Sequence, residues 1–556
     1  MDDSNSPQPP VNNQSQSNPP TVSDQSAPPP TLPPTTPVAP APAPVVSSQK
    51  KSRKIWLFVL IVLLIAAAIA GGVAYSKHTN KPAAAAKKDI PYLRYGTDET
   101  ADLTQVYPTE AVDTDTTTQV NTQLFEGLVR YQEGTKIVPL LATSWSNPDD
   151  TTWVFNLQHG VKFHNGRTMT ATDVKKSLDY AVAHQNDNSG ATLLSLASTI
   201  KEVQAVNPYQ VKITTDGPDP VLLNRLAYLY VFDTSAKTGD PDAGTGPYVV
   251  KPGSKPTANS LDLTAYNSYW GGHIYTRAVH IQVAGNDQLA ADTNKGQFDI
   301  AGDFTSQQLT QIKHYRPITI QDLGITFLGL NTVKASSPLS SLAARQAASY
   351  ALNIPAILKA GGLSGTQASQ LIPPAIPGYD PSIHNIPYNP AKAKQLLATV
   401  PNAATQITLS YPKGDDGQVI EIAKELNAVG FNVKTDALPD LDTLVNVGLS
   451  GQTDMFYLGD STSTLDGLAL FNDIVIAADK DYSNPTVTKL ADQAGTTLDP
   501  AARIALLQKI SQQVANDVSD IPLFNDTRTV ALTKPYHVQV DIPSIEAGVY
   551  FWQIYQ

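Results

Sequence analysis

The feature that most constrains this chain is an uncharged stretch of 21 residues, Ile55 to Tyr75, near the start of 556. At 1.5 Å per residue a helix of that length reaches roughly 31 Å, the thickness of a bilayer's hydrocarbon core. The sequence therefore predicts one transmembrane helix. Lys50-Lys51-Ser52-Arg53-Lys54 abuts its start, while Lys77, Lys81, Lys87 and Lys88 are spread more thinly beyond its end. The denser basic collar predicts a cytoplasmic N-terminus and an extracytoplasmic large domain. Ala68-Ile69-Ala70 resembles a signal-peptidase site, so a cleaved leader stays open, although some 50 residues before an apolar run is long for one.

Composition separates the parts. Residues 1–49 hold 14 prolines, three acids, no base and no aromatic residue. Such a segment cannot bury enough apolar surface to offset its ordering entropy, and a disordered cytoplasmic tail is predicted. A polyproline II docking arm is the alternative. Residues 50–75 form the collar and anchor, 76–88 a Lys/Pro/Ala tether, and 89–556 the globular domain. Residues 1–88 carry eight Lys/Arg against three Asp, which leaves a net −16 on residues 89–556. An acidic domain is ill-suited to bind nucleic acid through phosphate. The absence of cysteine excludes disulfides, thiolate metal sites, cysteine nucleophiles and a lipidated N-terminal cysteine.

Strand and helix signals alternate through the globular part. Thr151 to Leu157 reads as a strand with Trp153, Phe155 and Leu157 on one face. Thr170-Ala171-Thr172-Asp173 has capping-box spacing and opens a helix that aligns Val174, Leu178, Ala181 and Val182. Residues 405–437 read as a βαβ unit. Ile407 to Tyr411 is extended, Val419, Ile422, Ala423 and Leu426 have helical spacing, Gly430 stops the helix, and Phe431 to Val433 resumes strand. Asp499-Pro500 caps a helix that buries Leu506, Leu507, Ile510 and Val514. The class is α/β with several lobes.

No His-Glu-x-x-His, Gly-x-Ser-x-Gly or phosphate-binding loop occurs, and no two histidines have helical metal-ligand spacing. Ser47-x-x-Lys50 has serine–lysine spacing but lies in the Pro-rich tail. These patterns favour binding over catalysis, with no metal or cofactor.

An ordered series of blocks is more specific. It begins with Leu124-Phe125-Glu126-Gly127-Leu128-Val129-Arg130-Tyr131, Pro139-Leu140-Leu141-Ala142-Thr143-Ser144-Trp145 and Gly160-Val161-Lys162-Phe163-His164-Asn165-Gly166. Gly244-Thr245-Gly246-Pro247-Tyr248, Tyr269-Trp270-Gly271-Gly272, Arg345-Gln346-Ala347 and Tyr388-Asn389-Pro390-Ala391-Lys392-Ala393 follow. Tyr482-Ser483-Asn484-Pro485 and Asp499-Pro500-Ala501-Ala502-Arg503 close it. The series resembles the family 5 extracellular solute-binding proteins, the oligopeptide- and dipeptide-binding components of ABC transporters, over nearly all of 89–556. Most of its residues read as scaffold, with Trp145, Trp153 and Phe163 as core and Arg345 and Arg503 in local polar contacts.

The resemblance implies a type II periplasmic-binding-protein-like α/β fold, two lobes with a hinge plus an additional subdomain, here preceded by the transmembrane helix. Lobe I would comprise 89–130, 235–330 and 525–556, the subdomain 131–234, and lobe II 331–524. Hinge chains would lie near Gly324–Thr332 and Ile521–Leu532. It further implies a short peptide ligand, an ABC permease partner and no enzymatic step. Peptide-binding members hold the ligand ammonium with a carboxylate and pair its backbone with extended protein segments. The matching segment is Asp454-Met455-Phe456-Tyr457-Leu458-Gly459-Asp460. Asp460 falls where the ammonium-binding aspartate is expected, with Asp466 as the fallback. Tyr457 or Leu458 stands near the family's tryptophan position, beside Gly459. Where relatives have Asp-Arg after the Arg-Gln-Ala helix, this chain has Asn353-Ile354, and no arginine is identified for a ligand carboxylate. A receptor that signals through its single helix, a binder of a non-peptide solute and an envelope hydrolase on this fold are the alternatives.

Overall fold

The computed structural model describes residues 87–556, apart from 98–101, 105, 108–114, 133–134, 187–192, 237–242, 305, 322, 463, 477–479 and 539–548. The Pro-rich tail, the anchor and most of the tether lie outside the described residues. Within them, no helix is long and apolar enough to cross a membrane.

The first lobe is built on β1 (Leu93–Thr97), followed by helix α1 (Asp115–Leu124). A hairpin, β2 (Val129–Gln132) and β3 (Lys136–Pro139), leads into a separate antiparallel sheet. That sheet orders β4 (Ala142–Asp149), β5 (Thr152–Leu157), β7 (Gln210–Thr215) and β6 (Ile200–Asn207) side by side, and forms the subdomain. In β5 the alternation is realised, with Trp153, Phe155 and Leu157 buried. Helix α2 (Ala171–His184) begins at the Thr170 box, where the Thr170 backbone N–H donates to Asp173 Oδ2 at 2.8 Å. The subdomain closes with α3 (Leu222–Tyr228). Gly127 is needed there, because a Cβ would stand 2.4 Å from the Leu226 carbonyl oxygen.

The chain then returns to lobe I through β8 (Tyr248–Val250), β9 (Ser260–Ala265), β10 (Ala278–Val283), β11 (Ile300–Phe304) and β12 (Arg316–Gln321). Lobe II follows with β13 (Ile325–Leu330), α4 (Leu342–Ala351), β14 (Gly365–Gln367), β15 (Gln406–Pro412), α5 (Asp416–Val429), β16 (Asn432–Leu438) and β17 (Met455–Asp460). Helix α6 (Gly467–Phe471), helix α7 (Pro500–Asp517) and strand β18 (Asp520–Leu532) complete it. The βαβ unit forms as its spacing predicts: β15 and β16 are parallel in the register Ile407↔Val433, and Gly430 ends α5 at φ 117°. Helix α7 starts where predicted, with Asp499 Oδ1 accepting the Ala502 N–H at 2.7 Å. It buries Leu507, Ile510 and Val514.

One long strand belongs to both lobes. The Thr527–Leu532 half of β18 pairs with β12, and its Asp520–Phe524 half pairs with β13. Two chains therefore cross between lobes, one from Gln321 to Ile325 and one from Phe524 to Thr527. They are tied together: Asn525 Nδ2 donates to the Gly324 carbonyl at 3.0 Å, and Thr326 Oγ1 donates to Asp526 Oδ2 at 3.2 Å. A separate apolar cluster, including Leu328, Ile407, Ile422 and Leu523, fills lobe II. The main cluster runs through lobe I and the subdomain and continues onto one side of lobe II at Phe327, Phe456, Leu465 and Phe471.

Arg345 and Arg503 of the recognisable blocks are scaffold. Arg345 donates to the carbonyls of Asp517 and Val518, where α7 ends with Val518 at φ 48°, and to those of Leu339 and Ser340. A single guanidinium thus satisfies carbonyls that the end of a helix leaves without partners.

Candidate functional site

The strand that carries the expected ligand contacts is β17. It is antiparallel to β13 along its whole length, from Leu330↔Met455 to Ile325↔Asp460. On its other side it pairs with β15 only at Met455 and Phe456. Among the described residues, Tyr457 to Asp460 pair with no residue on that side, and an unpaired edge of this kind suits strand addition. The edge is also sterically open: Gly459 is exposed, and a Cβ there would meet nothing nearer than Thr326 Oγ1 at 3.6 Å. Strand β17 ends beside the crossing chains, on the hinge side of lobe II.

Asp460 sits at this end, half-buried. Its Oδ1 accepts the Ser461 N–H at 2.7 Å. No cation pairs with it among the described residues. Burial pushes its carboxyl up to about 7, and the neighbouring Asp473 adds to the rise. Asp473 is itself raised by burial, although its side chain is solvent-accessible. Two neighbouring acids repel each other and attract a cation.

The other expected contacts divide. Leu458 is half-buried and packs on the main cluster. Tyr457 is turned the other way, 4% exposed within the core of lobe II. The stacking role considered for Tyr457 gives way to packing, because successive side chains of a strand face opposite sides. Asp466 is also committed. Arg503 holds it in a bidentate pair, Nη1 to Oδ1 at 2.6 Å and Nη2 to Oδ2 at 2.8 Å, with both residues buried. Neither oxygen of Asp466 remains for a ligand ammonium. The fork instead fixes the loop 461–466 that follows Asp460.

The subdomain reaches this loop from the other side. The Thr464 carbonyl accepts from Tyr131 Oη at 3.0 Å and from Asn224 Nδ2 at 2.6 Å. Thr135 Oγ1 donates to the Ala375 carbonyl at 3.1 Å. Nearby, Glu126 is buried among three neutral donors: Thr245 Oγ1 at 2.9 Å, Tyr269 Oη at 2.9 Å and Trp270 Nε1 at 2.8 Å. Burial raises its carboxyl to about 7 against those hydrogen bonds. This cage explains why Glu126, Thr245 and the Tyr269-Trp270 pair recur as sequence blocks. Arg130 lies 5.7 Å from the Trp552 ring centroid, half-buried, beside a small cavity that Tyr230 and Tyr550 also line. It is a cation that sequence reasoning left among the scaffold. The signal lay in its position next to Tyr131, but the Trp552 partner sits far along the chain.

Among the described residues, no group of three or more His, Asp or Glu side chains is arranged to hold a metal. The site offers a carboxylate, an open strand edge and a latch between lobes, which together suit reversible binding.

The profile of the "Bacterial extracellular solute-binding proteins, family 5 Middle" matches residues 136–481. The glutathione-binding protein GsiB of Escherichia coli K12 is 27% identical over 463 residues, 76% of this chain and 87% of that protein. Heme-binding protein A of Haemophilus influenzae is 28% identical over 310 residues, 50% of this chain and 56% of that relative's length. The structure of HbpA2 from Haemophilus parasuis superposes with a TM-score of 0.73 at 20% identity, covering 83% of this chain and 99% of that one. The periplasmic murein tripeptide binding protein MppA, in its unliganded open form, gives 0.70 at 20% identity over 85% of this chain and 99% of that one. These likenesses share the type II periplasmic-binding-protein-like α/β fold. With its profile match covering well over half of the chain, this protein belongs to the family 5 bacterial extracellular solute-binding proteins, which are binding components of ABC transporters and not enzymes.

Proposed function

We propose that the protein captures short peptides outside the cell and delivers them to an ABC permease, held at the membrane by a helix over Ile55–Tyr75. The observation that carries the ligand class is Asp460, a half-buried carboxylate without a cationic partner at the end of an open strand edge. A peptide supplies both complements: an ammonium for the acid and a backbone for the edge at Leu458 and Gly459. An ammonium removed from water needs such a partner, since burying it unpaired costs several kcal/mol. The relatives support the class, because glutathione and a murein tripeptide both carry amide backbones and a free amine. The Tyr131 and Asn224 donors already hold the Thr464 carbonyl, so opening about the crossing chains would break them, and a ligand touching both sides would bias the open–closed equilibrium toward this latched arrangement.

A membrane anchor would substitute for the lipidated cysteine this chain lacks and keep the receptor at high effective concentration near its permease. A non-peptide solute is the second reading, favoured by the relative named for heme and by a neighbour solved with Fe(III)-EDTA.

Mass spectrometry of small molecules released by denaturing the purified full-length protein tests the ligand class. A set of short peptides supports the proposal; one non-peptide species overturns the substrate while leaving the family intact. Calorimetry then tests the residue. Asp460→Asn is expected to weaken a free-amine peptide by about 10- to 100-fold, the worth of a charge-assisted hydrogen bond, and its N-acetylated form far less. Equal losses for both peptides remove the ammonium role.

A further inference from the structure

A partly open cavity of about 110 Å3 is lined wholly by residues of lobe II. It is bounded by α4, the chain after β14, helix α7 and the start of β18, with Ile383, His384 and Ile386 at its rim. Leu352, Ile354, Leu371, Val514 and Ile521 give it apolar walls, each at most 5% exposed. A dry apolar void of this kind would stay empty or take a small hydrocarbon, as an engineered cavity of about 150 Å3 takes benzene. This one differs, because its lining includes an acidic residue, Asp520, itself 8% exposed.

Two of the other polar side chains on the wall, Gln370 and Ser511, are already engaged. Gln370 exchanges both amide groups with the Asp380 backbone at 2.8 and 2.9 Å, and the Ser511 hydroxyl donates to the Gly378 carbonyl at 3.1 Å. Asp520 Oδ2 accepts from Ser519 Oγ at 2.7 Å, and no cation pairs with the group among the described residues. A second acid stands close behind it. Asp481 is 2% exposed, and neither of its carboxylate oxygens has a hydrogen-bond partner. The one lysine acting on Asp481 is Lys334, whose Nζ lies 2.9 Å from Asp454. Two buried acids therefore face this end of the sheet with their only nearby cation shared elsewhere. Buried carboxylates are tolerated when neutralised by a proton or by a partner.

We propose that this cavity is a second ligand site, separate from the interlobe cleft, that takes a small primary alkylammonium ion with its head on Asp520 and its chain among the apolar walls. Its size limits the guest to roughly five heavy atoms. A neutral isostere lacks the charge that Asp520 needs, and a carboxylate guest is repelled by Asp520. Burial and the charge of Asp481 raise the Asp520 carboxyl to about 7, so the guest binds better at pH 8 than at pH 6, where the proton competes.

The test is titration of the full-length protein with n-butylammonium, with 1-butanol in parallel, by calorimetry at pH 8 and pH 6. One saturable butylammonium site is expected, weaker at pH 6 and at least about tenfold weaker for butanol. Asp460→Asn should leave that site unchanged, and Asp520→Asn should lose it by about tenfold or more. Methyl contacts in NMR from the bound butyl chain to Leu371 and Ile521 of the wild-type protein need no variant and locate the guest. No saturable site, equal binding of butanol, loss in Asp460→Asn, or contacts elsewhere would each overturn the proposal.

Discussion

Asp460 closes β17 and Asp466 lies six residues further on, and the fold treats them oppositely. Asp466 is buried against a forked guanidinium with two bonds of 2.6 and 2.8 Å. Asp460 is half-buried with one backbone donor and a second acid as its charged neighbour. The first arrangement is self-sufficient: charge, geometry and hydrogen bonds are met inside the protein. The second is incomplete until a cation arrives. The comparison teaches that a binding carboxylate is recognised by what the fold withholds from it. Its sequence context does not separate the two, because both are aspartates near glycine in a polar loop.

The comparison can be broken most severely at Arg503. Arg503→Leu leaves Asp466 as a buried unpaired charge and should cost about 3–5 kcal/mol, read in chemical denaturation. It should also release the 461–466 loop, so peptide affinity falls with stability. The corresponding change on the other side, Asp460→Asn, should leave stability unchanged or slightly raised while peptide affinity falls. A large stability loss in Asp460→Asn would make that residue scaffold and erase the contrast.

Acid sharpens the difference. The Asp460 carboxyl titrates near 7 and must be ionised to hold an ammonium, so free-amine peptide affinity should fall progressively from pH 8 to pH 5.5. Stability should move in the opposite sense. Glu126, Asp481 and Asp520, all buried, also have carboxyls raised to about 7. Between their unfolded values near 4 and these folded values, the native state binds more protons than the unfolded chain. Their contribution to stability is therefore full below about pH 4 and lost as the pH rises through 7. The ligand-free protein should melt higher at pH 6 than at pH 8, and Asp481→Asn should shrink that difference.

The smallest expected effect concerns the latch. Asn224→Ala and Tyr131→Phe each remove one donor from the Thr464 carbonyl and should weaken peptide binding by about 1 kcal/mol, roughly fivefold. Because the two donors share one acceptor, the double variant should lose less than the sum of the single variants. Additive losses would show that the donors act independently of closure.

Much of the fold was legible because its signals are local. The alternation of Trp153, Phe155 and Leu157, the Asp499-Pro500 cap and the Gly430 stop each depend on a handful of neighbours along the chain. The blocks that identify the family are legible for a related reason: Glu126, Thr245 and Trp270 must all be present for one cage to close. The candidate site was less legible. From sequence, Asp460 and Asp466 were interchangeable as ammonium partners, and Tyr457 was a possible stacking ring. The location of Arg503, of the core of lobe II and of the unpaired β17 edge separated them.

The sequence by itself determined the order of elements, the acidic character of the large domain, the lack of thiol chemistry and membership of a binding family. These follow from composition, local periodicity and blocks whose spacing is preserved along the chain. Only the tertiary structure decided which aspartate is paired, which strand edge is open and where the lobes touch through Thr464. It also brought Asp520 to the wall of a cavity. Each of these depends on groups far apart in sequence meeting in space. A carboxylate's solvation and charge neighbours, which govern what it can bind, are properties of that meeting and not of the residue.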